Sequence, residues 1–569
     1  MMRSCCATAV AILALGVAAC SKSPPETTAP PAAPAADVAD AKHGFGPEIS
    51  AEDFAAHVKV LSSDEFGGRA PGTDGEQKTA DYLVAQFQRL GLQPGNGDSW
   101  FQDVPMVVTK IDTQNTQIAI DVAGQRRELG FGSDAVLWTS TAQPEVKVEA
   151  SEMIFVGYGV SAPEQNWDDY AGLDVTGKTV VMLVNDPGFH VNDDALFAGK
   201  KMTYYGRWTY KFEEAARRGA AAALVIHDDF GAGYGWDVVK NGASGSRYDL
   251  PSAVDPEPRL PLQGWLTSAA AESLFGSVGL DLAALREAAN RPGFRAVPLN
   301  DARFSGVARG EISEGSSRNI LAKLPGSTRP QESIVYTAHW DHLGTHPEEA
   351  GDGIYNGAID NATGVAGVLE IAEAFTVQAT PPERSVVFLL VTLEESGLLG
   401  SAYYAANPVL PLKDTVAVVN LDALPVVGPT RDFVVVGLGN SELDEVLRPI
   451  AEAQGRHLVE EDGVEKGSFF RSDHFSFAKF GVPALYAKGG IDHVDNGAQY
   501  GKDLQSAYVR ERYHKPGDEF DANWDLRGVV QDLEALYGVG RTLAGSDAWP
   551  NYVAGNAFRA ARDAARAQP

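Results

Sequence analysis

The chain has 569 residues, with 76 acidic against 47 basic side chains, a formal net charge of −29, and 44% hydrophobic residues. A field of that sign repels nucleic acid and anionic membranes and argues against both as partners. The length exceeds one ordinary domain, and the composition is that of a globular chain.

At the start, Arg3 precedes an apolar run from Ala7 to Val17, which is signal-peptide length and short for a bilayer span. It ends Val17-Ala18-Ala19-Cys20. That ending resembles the bacterial lipoprotein box, and the resemblance implies a signal segment over residues 1–20 and a lipid on Cys20 as the only attachment to a membrane. The alternative is a secreted protein cut nearby; either way the expected location is outside the cytoplasm, facing the periplasm or beyond. Cys5, Cys6 and Cys20 are the only cysteines, so the processed chain has no intramolecular disulfide available. Residues 21–44, with Pro24, Pro25, Pro30, Pro31 and Pro34 among Ala, Ser and Thr, read as an extended tether.

Folded sequence is expected from about residue 45. Ala80, Leu83, Val84, Phe87 and Leu90 recur on one face of a helix predicted over Gln77–Leu90. The pattern then divides the chain into a first stretch at 45–144, an insert at 145–305, a resumption at 306–550 and a tail at 551–569 containing a helix near Phe558–Arg566. The insert reads as short strands, Met153–Val156 and Thr179–Val184, then a helix at Lys211–Arg218 leading into Ala220–Ile226. Arg207 and Tyr205, beside Tyr204 and Trp208, are candidate substrate contacts from the insert; packing is the competing role. The run Gly231–Gly235 marks a loop.

Beyond residue 310, three β-branched runs each end in residues with metal-binding chemistry. Ile334–Ala338 leads to His339, Val386–Leu393 to Glu394 and Glu395, and Val416–Leu421 to Asp422. Continuous apolar runs of this kind suit parallel strands buried on both faces, whose carboxyl ends share one rim. Asp360 precedes a helix start at Asn361–Gly364, where a carboxylate is favoured. Imidazole and carboxylate without thiolate suit zinc. Two metals about 3.5 to 4 Å apart need a bridging ligand, and Asp360 is the choice for it, leaving each metal one further carboxylate and one imidazole from His339, Glu395, Asp422 and His514. Glu394 is placed to take a proton from a water between the metals and pass it to a leaving amine. Asp341 is expected to accept the other ring proton of His339. His342, His346, His474 and His493 are assigned solvated or supporting positions, and Ser472 and Asp473 either line the site or form a turn. No His-Glu-x-x-His helix, nucleophile elbow or phosphate-binding loop is present.

Six ordered motifs carry a resemblance: Ala338–His342, Asn356–Gly364, Glu394–Ser401, Asn420–Asp422, Ser472–His474 and Tyr513–Asp518. They are similar to those of the zinc exopeptidases that include bacterial leucyl aminopeptidases and glutamate carboxypeptidase, and Phe66–Thr73 is similar to that family's lead-in. The resemblance implies an α/β fold, a three-layer mostly parallel sheet with helices on both faces, and a β-rich protease-associated domain as the insert. It also implies two zinc ions, His339 and Asp422 on one, Glu395 and His514 on the other, Asp360 between them, Glu394 as base, and peptide substrates. Aminopeptidase action is the expectation. A carboxypeptidase or dipeptidase shares the same ligands, a single-zinc cyclising transferase fits less well, and a receptor-like binding protein would lack the ligands.

Overall fold

The computed structural model describes residues 43–348 and 351–567. The apolar leader, Cys20 and nearly all of the predicted tether lie outside the described residues. Among the described residues, no helix is long and apolar enough to cross a membrane.

Two sheets organise the chain. In the first, four parallel strands run in the order Arg384–Val391, Arg329–His339, Thr415–Asn420, Ala484–Gly489. Every residue of Arg384–Val391 and Thr415–Asn420 is buried, as is Ser333–His339. Alternation explains how both faces are apolar. Val335, Val387, Leu389 and Val418 meet Tyr404 and Phe477 on one side, while Tyr336 and Phe388 meet Phe375 on the other. Helices Thr363–Thr376 and Arg527–Ala544 cover that second side, and the Tyr336 hydroxyl donates to the Leu536 carbonyl (2.8 Å), closing the polar end of a fully buried ring. The chain passes from the His339 strand to its neighbour on one side, then crosses to the Asn420 strand on the other, so the order reverses at the carboxyl end of the His339 strand. Crevices at such reversals are where α/β sheets bind ligands.

The second sheet belongs to the predicted insert. Its strands run Gln125–Glu128, Gln117–Val122, Val297–Ala308, Glu145–Phe155, Thr179–Leu183, Ala222–Ile226, Leu262–Leu266, Ala135–Trp138. Side chains again alternate: Val181, Leu183, Leu224 and Ile226 enter one core, and Val180, Met182, Ala223 and Val225 enter the other with Phe212 of the helix Trp208–Arg217. The boundary drawn from sequence at 145 requires correction. Residues 117–138 pair inside this second sheet, so it spans about 112–309. The reason is the 28-residue strand Val297–Leu324, which serves both sheets. Its first part pairs with Gln117–Val122 and Glu145–Phe155, and from Gly310 onward it pairs with Phe101–Ile111. No composition change marks that handover.

Smaller expectations shift by a few residues. The helix predicted at Gln77–Leu90 is Asp74–Arg89, begun by the Thr73 hydroxyl accepting from the Gly75 amide, a standard N-cap. The tail forms helix Arg559–Arg566, held by the buried Arg562 donating to the Thr415 and Val416 carbonyls. Gly231 belongs to a short helical turn, Asp229–Ala232, ended by Gly233 at φ 79°.

Candidate metal centre

Strand ends bring the predicted residues to one rim. His339 is the last residue of its strand. Leu393, at φ 57°, turns the neighbouring chain so that Glu394 and Glu395 follow it into the crevice. Asp422 follows Asn420 by two residues. Asp360 sits in the bend before helix Thr363–Thr376, where its own amide and that of Ile359 donate to the Asp518 carboxylate. His514, at φ 54°, comes from the turn after the helix Gly497–Glu511. A non-glycine residue in the left-handed region is strained and persists where surrounding structure holds it.

The Asp360 carboxylate is two-faced. Its Oδ1 lies 3.3 Å from His339 Nε2, which is 3.7 Å from Asp422 Oδ1. Its Oδ2 lies 3.2 Å from His514 Nε2, which is 3.1 Å from Glu395 Oε2. Glu394 Oε2 lies 3.9 Å from His339 Nε2. Donor atoms of His339, Asp360 and Glu395, and of His339, Glu394 and Asp422, cluster within 4.8 Å of one another. Four carboxylates and two imidazoles on one rim are a hard-to-intermediate donor set with excess negative charge, which fits divalent zinc.

Electrostatics follow from that crowding. Burial opposes a charge on His514, but the hydrogen bonds to Asp360 and Glu395 raise it to about 10. Burial likewise opposes a charge on His339, and Glu394, Asp360 and Asp422 outweigh it, holding its pKa well above the ordinary value. Glu394 is pushed well above the usual carboxylate range by burial, with Glu395, Asp473 and Asp422 adding repulsion. It is therefore the carboxylate of this group best suited to carry a proton.

Supporting contacts fix each donor. His342 Nδ1 donates to Glu395 Oε1 (2.6 Å), leaving Oε2 turned to the centre. The Ser472 hydroxyl donates to Asp422 Oδ2 (2.5 Å), leaving Oδ1. The sequence motifs left both residues with two possible positions, and the structure gives them these. Arg69 lies inside the Phe66–Thr73 stretch, and residue type and spacing assign it no part in the centre. Fully buried, its guanidinium donates to the carbonyls of Leu61, Trp340, Asn356 and Gly357, tying the first stretch of chain to both loops under the centre. A lone arginine within the Gly-Gly-Arg turn gave no sequence signal beyond its setting.

Two predicted roles need correction. His339 Nδ1 meets the backbone carbonyl of Asp341 (3.1 Å) and lies 3.9 Å from its carboxylate. The carboxylate instead accepts the Glu394 amide (3.2 Å), so Asp341 steadies the loop carrying the base. Tyr205 does not face substrate: it is buried against Phe197 and Tyr210, and its hydroxyl donates to Glu164 (2.5 Å). Arg207, two residues on, lines a cavity of about 1010 Å³ together with His339, Asp360, Glu394, Glu395, Asp422 and His514.

Residues 319–537 match the model of peptidase family M28. The matched stretch contains all six residues of the centre. Among curated proteins, the chain is 28% identical over 235 residues to a vacuolar membrane protease of Schizophyllum commune, covering 40% of this chain and 22% of that protein. It is 29% identical over 184 residues to a probable zinc metalloprotease of Pyrenophora teres f. teres, covering 32% and 36%. The chain thus spans well under half the length of these relatives. Among solved structures, it is similar to an aminopeptidase from Aneurinibacillus sp. strain AM-1, with 18% identity, 89% and 96% coverage, and a TM-score of 0.45.

Proposed function

We propose that this protein is an exported two-zinc exopeptidase, lipid-anchored through Cys20, that releases residues from the N-terminus of peptides. One observation carries the reading: Asp360 presents one oxygen to His339 and Asp422 and the other to His514 and Glu395. A carboxylate flanked on both sides by an imidazole and a second carboxylate is what two adjacent metal ions require. The M28 match supplies the peptidase class. The relatives named as proteases and metalloproteases agree with it.

Zinc in these positions would supply Lewis-acid polarisation of a carbonyl and lower the pKa of water toward neutrality. The chain's own groups do the rest. Glu394, held by its amide on Asp341, accepts a proton from the attacking water and returns it to the departing amine. His342 and Ser472 keep Glu395 and Asp422 from rotating, which preserves the spacing at the centre.

The test is mass spectrometry of a mixed peptide pool incubated with zinc-loaded protein, with a chelated control. Chelator-sensitive loss of N-terminal residues is the expected result. C-terminal trimming would transfer the protein to the carboxypeptidases, and no cleavage with two zinc ions bound would remove the peptidase reading.

A further inference from the structure

The strand Ala484–Gly489 runs parallel to Thr415–Asn420, with Tyr486 abreast of Asn420. Two residues further along each chain stand Lys488 and Asp422. The backbone ladder between these two strands ends at Asn420, so the carbonyls that follow need other donors. Side chains supply them. Lys488 Nζ donates to the Asp422 carbonyl (3.0 Å), the Ala423 carbonyl (3.2 Å) and the Tyr486 hydroxyl (2.7 Å), and that hydroxyl donates to the Asp422 carbonyl (3.0 Å). Asn361, next to Asp360, holds the same turn: its Nδ2 donates to the Leu421 carbonyl (3.1 Å) and its Oδ1 accepts the Ala423 amide (3.2 Å).

The turn needs holding. Ala423 is at φ 48°, and a side-chain-bearing residue in that region persists where its neighbours fix it. What the turn does is aim Asp422, whose Oδ1 lies 3.7 Å from His339 Nε2. Lys488 lines the cavity, but an ammonium has three N–H donors, and all three are engaged here. None is left for a substrate. Among the described residues Lys488 forms no ion pair, so its charge is met by two carbonyls and a hydroxyl. Burying an ammonium in that way carries a desolvation cost, and what it secures is the path of the chain at Asp422.

We infer that Lys488 is a positioning residue of the centre: it fixes the turn that aims Asp422 and thereby controls zinc binding on the His339–Asp422 side, without touching the substrate. This rests on the two-zinc reading and deepens it by making the two positions unequal, because the hydrogen bonds of Lys488 all go to the Asp422 side.

A double-mutant cycle tests it. Zinc affinities are measured by competition with a chromophoric chelator for the wild type, Lys488→Met, Asp422→Ala and the double variant, with KM and kcat beside them. Lys488→Met should weaken one zinc ion by about 10-fold or more and leave the other near its wild-type affinity. At saturating zinc its KM should stay near the wild-type value. In Asp422→Ala the ligand is already gone, so adding Lys488→Met should leave the remaining affinity unchanged. Tyr486→Phe removes a single donor from the Asp422 carbonyl and should weaken the same ion by a smaller factor; it carries the test where Lys488→Met fails to fold. Unchanged zinc affinity in both variants, equal weakening of both ions, a further loss in the Asp422→Ala background, or a raised KM with zinc content intact would each overturn the inference. The parent reading fails separately. A wild type that binds one zinc ion, with the Lys488–Asp422 coupling present, would remove the two-zinc reading and retain Lys488 in its place; two bound ions without the coupling would remove only the inference.

Discussion

Glu394 and His514 sit on opposite sides of Asp360 and are expected to fail in different ways. Glu394→Gln preserves size and the Asp341 contact through the backbone amide, so zinc content should stay at the wild-type level while kcat drops by about 10² to 10⁴. Metal analysis beside steady-state kinetics checks both parts, and near wild-type turnover would remove Glu394 as base. His514→Ala removes a donor to the Glu395 side, so zinc content itself should fall. Proton competition sets the pH dependence. The metal-free pKa of His514, about 10, is above its unfolded value of 6.5, so its bound proton stabilises the metal-free fold fully below about 6.5, and that contribution is lost as pH rises through 10. Zinc must displace this proton, so its affinity should weaken by about tenfold per displaced proton for each unit of falling pH. Activity at limiting zinc should accordingly decline steadily as the pH falls below about 10. A flat zinc affinity from pH 8 to 5 would contradict the assignment of His514 as ligand.

At the level of elements, the centre depends on how closely loops approach one another. Helix Thr363–Thr376 begins against the carboxyl end of the Asn420 strand, and a Cβ on Gly364 would lie 2.4 Å from the Leu421 carbonyl and 2.2 Å from Asn361 Oδ1. Gly364→Ala should therefore push the Asp360 bend away from Asp422, reducing zinc content and kcat together, which distinguishes it from Glu394→Gln. Arg69 joins elements in another way. Its guanidinium satisfies four carbonyls from segments as far apart as Leu61 and Gly357. Arg69→Met should leave those carbonyls unsatisfied and lower stability by about 3 kcal/mol, read from the denaturation midpoint. These elements also show what periodicity reveals. The runs ending at His339, Glu394 and Asp422 were legible because a parallel strand covered on both faces must be apolar at every position. The strands within 117–138 pair in the second sheet, and residue pattern alone does not say which sheet a strand joins.

For the whole molecule, zinc and the fold should stabilise each other. Asp360, Glu394, Glu395 and Asp422 crowd one rim, and a cation bound only by the folded chain stabilises it by mass action, about 4 kcal/mol at a thousandfold excess over Kd. Chelation should lower the melting temperature, and zinc should restore it in a concentration-dependent way. The donor residues, the strands that end in them and the excess negative charge are legible in the sequence, because these depend on residue type and local period. Folding settles which body residues 117–138 belong to, that Tyr205 packs inward while Arg207 reaches the cavity, that His339 meets the Asp341 carbonyl, and that Arg69 lies beneath the centre. Each of those facts is a contact or a side-chain direction fixed by packing among distant segments or by the local path of the backbone, and neither residue type nor spacing encodes it.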